Sequence, residues 1–171
     1  MMIIATYRSL VNNIFSYIEV TKMSDNKTVI IYASSHHGNT KKVIDAIASE
    51  CSVDLIDIIE NKEADISSYD RIGIAAGIAF GKYYPQMLEY LNAHMPSNKE
   101  VFFIHTAGDP REKHNAAAKE ITDKKGCKTL GTFFCKGFDT YGPFKLIGGI
   151  NKNRPNAEDF EAAKSFYALL P

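Results

Sequence analysis

The sequence lacks an excess of charge of either sign. Its 171 residues include 20 lysines and arginines against 20 aspartates and glutamates, so the formal net charge is zero. A surface that binds nucleic acid, or a polybasic patch that binds membranes, usually gives a chain a clear positive excess. The balanced charge therefore argues against nucleic acid as a partner.

Cysteine is also scarce, and its spacing excludes two common uses. Cys51, Cys127 and Cys135 form an odd-numbered set without a CxxC pair or a histidine-rich partner set. The set predicts neither a disulfide framework nor a zinc site. Reduced thiols of this kind are typical of a cytoplasmic protein, and packing in the core is their expected role.

No segment is long and apolar enough to predict a transmembrane helix. Residues 1–22 show apolar positions at helical spacing, but polar residues interrupt the run, and no signal-peptide cleavage site follows. Three interpretations remain: a helix added to the domain, an anchor for a surface or partner, or translated sequence upstream of a true start at Met23. We prefer the third, because a polar stretch separates Met23 from the first predicted strand. Residues 23–171 are then one domain.

Five short apolar runs alternate with helical patterns along the rest of the chain. The predicted strands cover residues 28–33, 53–58, 71–76, 100–106 and 128–136. The predicted helices cover residues 41–50, 86–94, 111–125 and 156–169. This alternation predicts an α/β fold with one parallel sheet covered on both faces. The charged stretch of residues 60–69 is predicted to be a surface connection.

A loop of small and polar residues joins the first strand to the first helix, with the sequence Ser34-Ser35-His36-His37-Gly38-Asn39-Thr40. Such a loop presents backbone N–H groups and the positive end of the helix dipole, which suit a phosphate. It lacks the GxxxxGK(S/T) pattern of NTP sites and the GxGxxG pattern of dinucleotide sites. The loop favours the terminal phosphate of a mononucleotide, with an ordinary helix-capping turn as the alternative.

The segment Ser35-His36-His37-Gly38-Asn39-Thr40 resembles the flavodoxin phosphate loop, whose usual form is Ser/Thr-x-Thr-Gly-Asn-Thr. The resemblance implies a three-layer flavodoxin-like fold with a five-stranded parallel sheet in the order 2-1-3-4-5. It also implies FMN as the cofactor, bound outside the carboxyl ends of the strands where the strand order reverses. His37 stands where the family usually has threonine, so the affinity for FMN is expected to depend on pH.

Two further loops are expected to border the flavin ring. The first is Gly77-Ile78-Ala79-Phe80-Gly81-Lys82-Tyr83, which offers Phe80, Tyr83 and the following Tyr84 as candidate stacking rings. Its turn is similar to the flavodoxin turn after the third strand, which would place the Lys82 cation near the flavin. In the alternative, these rings pack under the next helix.

The second ring loop, Thr106-Ala107-Gly108-Asp109, has no stacking tyrosine and therefore predicts one open flavin face. His105 comes just before it and is expected to be satisfied within the sheet. Residues 137–155 form a long connection with three aromatic residues among glycine and proline. That connection either covers a substrate or partner site or is a surface loop pinned by buried Phe138 and Phe144.

These features support three hypotheses about function. The first is an FMN-binding electron carrier that works between redox partner proteins and has no catalytic side chain of its own. The second is an FMN-dependent oxidoreductase acting on a quinone or porphyrinogen, with NAD(P)H as donor. Residues 78–84 are similar to the corresponding loop of menaquinone-dependent protoporphyrinogen dehydrogenase. The third is a regulatory module that keeps the fold without stable FMN. Each of the three hypotheses is compatible with a monomer or a dimer.

Overall fold

The computed structural model describes residues 26–171. The predictions of a helix within residues 1–22 and of a start at Met23 lie outside the described residues. The described strands are β1 (Thr28–Ala33), β2 (Asp54–Asp57), β3 (Arg71–Ala79), β4 (Lys82–Tyr83), β5 (Glu100–Ala107) and β6 (Lys128–Lys136). The helices are α1 (Asn39–Ala48), α2 (Pro85–His94), α3 (Ala116–Lys124) and α4 (Ala157–Ala168). Two 3₁₀-helices cover Glu112–Asn115 and Gly142–Ile147.

The strands form one sheet in the order β2-β1-β3-β5-β6, and every neighbouring pair along this path is parallel. β4 adds a short antiparallel pairing at the end of β3, with Ala79 opposite Lys82. In the chain order of the five predicted strands this is 2-1-3-4-5, so the predicted sheet is confirmed. The order reverses between β1 and β3, and a crevice opens at such a point in doubly wound sheets.

The core lies on both faces of the sheet because side chains alternate along each strand. Ile31 packs on one face with Met87 and Leu91 of α2. Its neighbour Ile30 packs on the other face with Val43 of α1 and other apolar side chains. Both isoleucines are fully buried. The result is the predicted three-layer arrangement, with α2 and α3 on one side and α1 and α4 on the other.

Local patterns locate most of the elements well. β1 and β6 have the predicted bounds, and α4 begins after Asn156, whose side chain accepts a hydrogen bond from Asp159 N–H at 3.2 Å. β3 is three residues longer than predicted because its end pairs with β4 in a hairpin. The predicted helix of residues 111–125 is divided into a 3₁₀ turn and α3.

The prediction of a surface connection over residues 60–69 is wrong at three positions. Ala64, Ile66 and Tyr69 are buried and belong to the core on the α2 side. Tyr90 of α2 donates its hydroxyl hydrogen bond to the Ala64 carbonyl at 2.7 Å. The charged residues between these positions conceal an apolar set that has no helical or strand period, so periodicity alone misses it.

Candidate functional site

A cavity of about 480 Å³ lies at the carboxyl ends of β1, β3 and β5, within the range of small-molecule sites. Three predicted loops meet there. The predicted residues that line it are Ser34, Ser35, His36, Asn39, Thr40, Gly77, Ile78, Ala79, Phe80, Gly81, Thr106, Ala107, Gly108 and Asp109. Parallel strands that end at one edge bring these distant loops together.

Four other predicted residues do not line the cavity: His37, Gly38, Lys82 and Tyr83. The structure corrects the placement of Tyr83 as a stacking ring, since only 1% of this residue is exposed. Its hydroxyl donates to the Ile104 carbonyl at 3.1 Å inside the core. Because neighbours on β4 face opposite sides, Lys82 is exposed while Tyr83 is buried. Tyr84, the third candidate ring, lines the cavity.

The N-terminus of α1 supplies the polar end of the cavity. Gly38 precedes the helix in the left-handed conformation (φ 64°), and no side chain caps it. The backbone N–H groups of Asn39 and Thr40 donate no hydrogen bond to any residue in the range 26–171. The N–H of Lys41 donates to Ser34 Oγ at 3.1 Å, which holds the loop against the helix. Two backbone donors at the positive end of a helix dipole therefore remain for an anion.

Polar side chains of this loop form hydrogen bonds with distant segments of the chain. Asn39 Nδ2 donates to the Phe138 carbonyl at 2.8 Å, while its Oδ1 is buried without a partner among residues 26–171. The hydroxyls of Thr40 and Thr106 lie 2.9 Å apart and are buried. This last pair ties the first loop to the end of β5.

The Thr40–Thr106 pair makes a testable prediction about stability. Thr40→Val or Thr106→Val leaves the other hydroxyl buried and unpaired, so each is expected to lower the free energy of unfolding by about 1.5 kcal/mol. The double substitution removes both polar groups and should cost less than either single change. Urea unfolding of the flavin-free protein measures all three values, and additive losses would contradict the pairing.

A tight hairpin turn forms a second wall. Phe80 and Gly81 join β3 to β4, and both have positive φ, 52° and 75°. A two-residue turn of this kind favours asparagine or glycine, so phenylalanine at its first position carries about 1–3 kcal/mol of backbone strain. Phe80 is 86% exposed and contacts Tyr141 edge-to-face, with ring centroids 5.5 Å apart. A strained and exposed aromatic residue at a cavity mouth indicates a contact role.

The connection of residues 137–155 forms part of the cavity wall. It places five residues in the cavity lining: Phe138, Asp139, Tyr141, Phe144 and Ile150. Asn151 Nδ2 donates to the Gly108 carbonyl at 2.8 Å, and Asp139 pairs with Ile150 in an isolated antiparallel bridge. Sequence reasoning marked this segment only by its length and aromatic content. Phe144 is 37% exposed, so it does not pin the loop as a buried residue would.

The two histidines of the first loop, His36 and His37, contact this connection at Thr140, and we call this contact the histidine clasp. His37 Nε2 lies 2.9 Å and His36 Nε2 lies 3.1 Å from the same Thr140 hydroxyl. The His37 ring also packs on Phe138, with centroids 4.4 Å apart. Loss of solvent around the ring, followed by the nearby His36 and Lys42, lowers the pKa of His37 below its ordinary value of 6.5. The neutral ring is therefore favoured in the closed clasp.

A second pair of histidines consists of His105 in β5 and His114 in the 3₁₀-helix that follows it. His105 is fully buried, as expected, and its Nε2 lies 3.1 Å from the Arg111 carbonyl. Burial lowers its pKa to about 4. His114, which the sequence reasoning missed, is only 8% exposed and lines the cavity. Only its position in the turn after the Thr106–Asp109 loop could have marked it as a site residue from the sequence.

Other kinds of site are not found in the described part of the chain. No cluster of histidine, cysteine and carboxylate side chains in residues 26–171 is arranged to hold a metal ion. Within the same range, no helix has the length and hydropathy that a membrane span requires.

Comparison with known proteins places this geometry in context. Residues 29–137 match the model of a flavodoxin domain family. An uncharacterised protein of Methanocaldococcus jannaschii is 43% identical over 143 residues, which is 82% of this chain and 95% of that protein.

Solved structures show the same fold at low identity. A flavodoxin from the domain Archaea aligns with a TM-score of 0.53 and 18% identity, over 82% of this chain and 92% of that one. Rubredoxin oxygen:oxidoreductase from Desulfovibrio gigas aligns with a TM-score of 0.61 and 19% identity, over 85% of this chain and 35% of that one.

Proposed function

The chain belongs to the flavodoxin domain family, and we propose that it binds FMN and carries electrons between redox partner proteins. The observation that carries this proposal is the unpaired N-terminus of α1 in the cavity wall. Asn39 and Thr40 are buried, yet their backbone N–H groups have no acceptor within residues 26–171. A phosphate at this point would accept both hydrogen bonds and lie at the positive end of the helix dipole.

The rest of the cavity fits the ring of a flavin. Tyr84 and Phe80 offer aromatic surface from the end of β3, and Tyr141 and Phe144 offer it from the connection of residues 137–155. Gly77 and Gly108 also line the cavity, and Tyr84 and Asp139 pack directly against them. Bound FMN would supply one- or two-electron chemistry. The protein would hold the phosphate, orient the ring and limit its contact with water.

Binding of FMN and of riboflavin tests the phosphate site directly, since riboflavin has the same ring without the phosphate. We expect FMN to bind about 100-fold more tightly, because a phosphate at a helix N-terminus gains charge-assisted hydrogen bonds. Ser34→Ala, which removes the acceptor for Lys41 N–H, should weaken FMN binding more than riboflavin binding. Ser49→Ala, at the other end of the same helix, is the matched control. Equal affinities for the two ligands would overturn the phosphate assignment.

Stepwise anaerobic reduction, followed by visible absorption, tests the electron-carrying role. A third spectral species between the oxidised and fully reduced spectra would support transfer of single electrons. Direct bleaching in one stage would contradict that role and favour two-electron chemistry. Failure to bind any flavin would favour the regulatory module.

An FMN-dependent oxidoreductase acting on a quinone or porphyrinogen is the second candidate. The observation in its favour is the apolar cavity mouth, where Phe80 is 86% and Tyr141 61% exposed. Large exposed apolar side chains beside a cavity suit a planar organic substrate. Turnover of NAD(P)H and a quinone without an added reductase would establish this function, and its absence would favour the carrier.

The histidine clasp predicts the direction of a pH effect on flavin binding. Because the pKa of His37 is lowered in the closed clasp, the closed form is favoured above pH 6.5 and lost as the pH falls. We expect the affinity of the wild-type protein for riboflavin to fall about threefold between pH 7.5 and 5.5. The fall should be smaller in His37→Gln, because glutamine does not titrate. Riboflavin avoids the titration of the FMN phosphate itself. A rise in affinity at low pH would contradict the clasp.

A further inference from the structure

Two buried histidines are fixed by the backbone of one residue, Arg111. The Arg111 carbonyl lies 3.1 Å from His105 Nε2, and the Arg111 N–H donates to His114 Nδ1 at 3.3 Å. The Arg111 guanidinium is in turn paired with Asp109, with Nη2 2.6 Å from Oδ2. The two imidazole centroids lie 5.8 Å apart. Both rings are therefore hydrogen-bonded to the backbone of the same short turn.

The backbone also determines which ring nitrogen of each histidine carries the proton. A carbonyl only accepts, so His105 must donate from Nε2. A backbone N–H only donates, so His114 must accept at Nδ1 and carry its proton on Nε2. Burial, then the nearby Lys113 and Arg111 cations, lower the pKa of His114, which keeps the ring neutral. His114 is thus a neutral donor with a defined tautomer.

The Nε2–H of His114 has no acceptor among the residues from 26 to 171. His114 is nevertheless almost buried and lines the cavity. It follows β5, whereas the unpaired N–H groups of α1 follow β1, and β3 lies between these two strands. A ligand with its phosphate at α1 and its ring across the end of β3 would therefore extend toward His114.

We propose that His114 donates a hydrogen bond from Nε2–H to an acceptor atom on the pyrimidine edge of the flavin ring. The proposal rests on the proposed binding of FMN. That edge carries carbonyl oxygens and ring nitrogens, and it gains negative charge when the flavin is reduced. A hydrogen-bond donor fixed beside developing negative charge stabilises the reduced ring more than the oxidised one. His114 thereby raises the reduction potential, while Arg111 and His105 act as positioning residues.

Nitrogen-15 NMR of the histidine rings tests the contact without any redox step. In the flavin-free protein, His114 should show a protonated Nε2 and an unprotonated Nδ1. Saturation with FMN, or with riboflavin as the ring-only control, should shift the Nε2–H resonance and slow its exchange with solvent about tenfold. Bound FMN with an unchanged His114 resonance would overturn this inference and leave FMN binding intact. Failure of the wild-type protein to bind FMN would instead overturn the proposed function.

The reduction potential provides the second measurement. His114→Phe should lower the ratio of oxidised to reduced FMN dissociation constants about tenfold, which is about 30 mV for a two-electron couple. His114→Gln can accept from Arg111 N–H and still donate, so it should retain most of the wild-type potential. Lys113→Gln removes an adjacent exposed charge and should change the ratio less than twofold. Equal potentials in the wild type and His114→Phe, with both proteins folded and FMN bound, would overturn the inference.

Discussion

Gly77→Ala is expected to weaken FMN binding about 100-fold. Gly77 ends the buried part of β3 and lines the cavity. A Cβ atom at this position would lie 2.5 Å from the Tyr84 hydroxyl oxygen and 2.6 Å from Cζ of the same ring. The ring must then move, and the cavity is the open space beside it. A displaced Tyr84 would occupy the volume that we assign to the flavin ring.

The double variant Gly77→Ala, Tyr84→Ala tests this explanation. It removes the clash while keeping the added methyl group, so we expect it to recover most of the FMN affinity. Calorimetric or fluorescence titration measures the dissociation constants, and thermal unfolding shows whether each variant is folded. If Gly77→Ala is folded and binds FMN within threefold of the wild type, the ring does not lie against the end of β3.

Acid is expected to destabilise the protein through His105. The pKa of His105 is about 4 in the folded protein because the ring is buried, against an ordinary value of 6.5. The unfolded chain therefore binds a proton that the folded chain does not, and stability falls as the pH drops below 6.5. Linkage gives a loss of about 2.5 kcal/mol in the free energy of unfolding between pH 7.5 and 4.5. The stabilisation that comes from keeping His105 neutral is therefore fully present at pH 7.5 and is lost progressively toward pH 4.5.

His105→Gln separates this contribution from that of the carboxylates. Glutamine can donate to the Arg111 carbonyl but does not titrate, whereas groups such as Glu100, whose pKa the hydrogen bond from Lys128 lowers, titrate in both proteins. Urea unfolding at the two pH values should show a smaller loss in the variant by about 2 kcal/mol. Equal losses in the two proteins would show that the pKa of His105 is not lowered in the folded state.

Both predictions concern the ends of β3 and β5, and the positions of these strands can be predicted from the sequence. The apolar runs that became these strands are visible as local patterns, and so is the loop before α1. Their alternation with helices predicted a parallel sheet covered on both faces, because parallel strands need helical crossovers. The strand order was implied by the resemblance of the first loop to the flavodoxin phosphate loop. From these facts alone, three loops could be assigned to one edge of the sheet.

The sequence by itself therefore determined the alternation of strands and helices and the positions of the three loops, since each depends on periodicity or on short motifs, and the resemblance of one such motif implied the strand order. Only the tertiary structure decided that Tyr83 enters the core, that the connection of residues 137–155 covers the cavity, and that His114 lines it. The contacts responsible join positions far apart in the chain, such as Asn39 and Phe138, which are separated by 99 residues. Local patterns report the period of an element, but the partner of a side chain depends on which distant segments the packed core brings beside it.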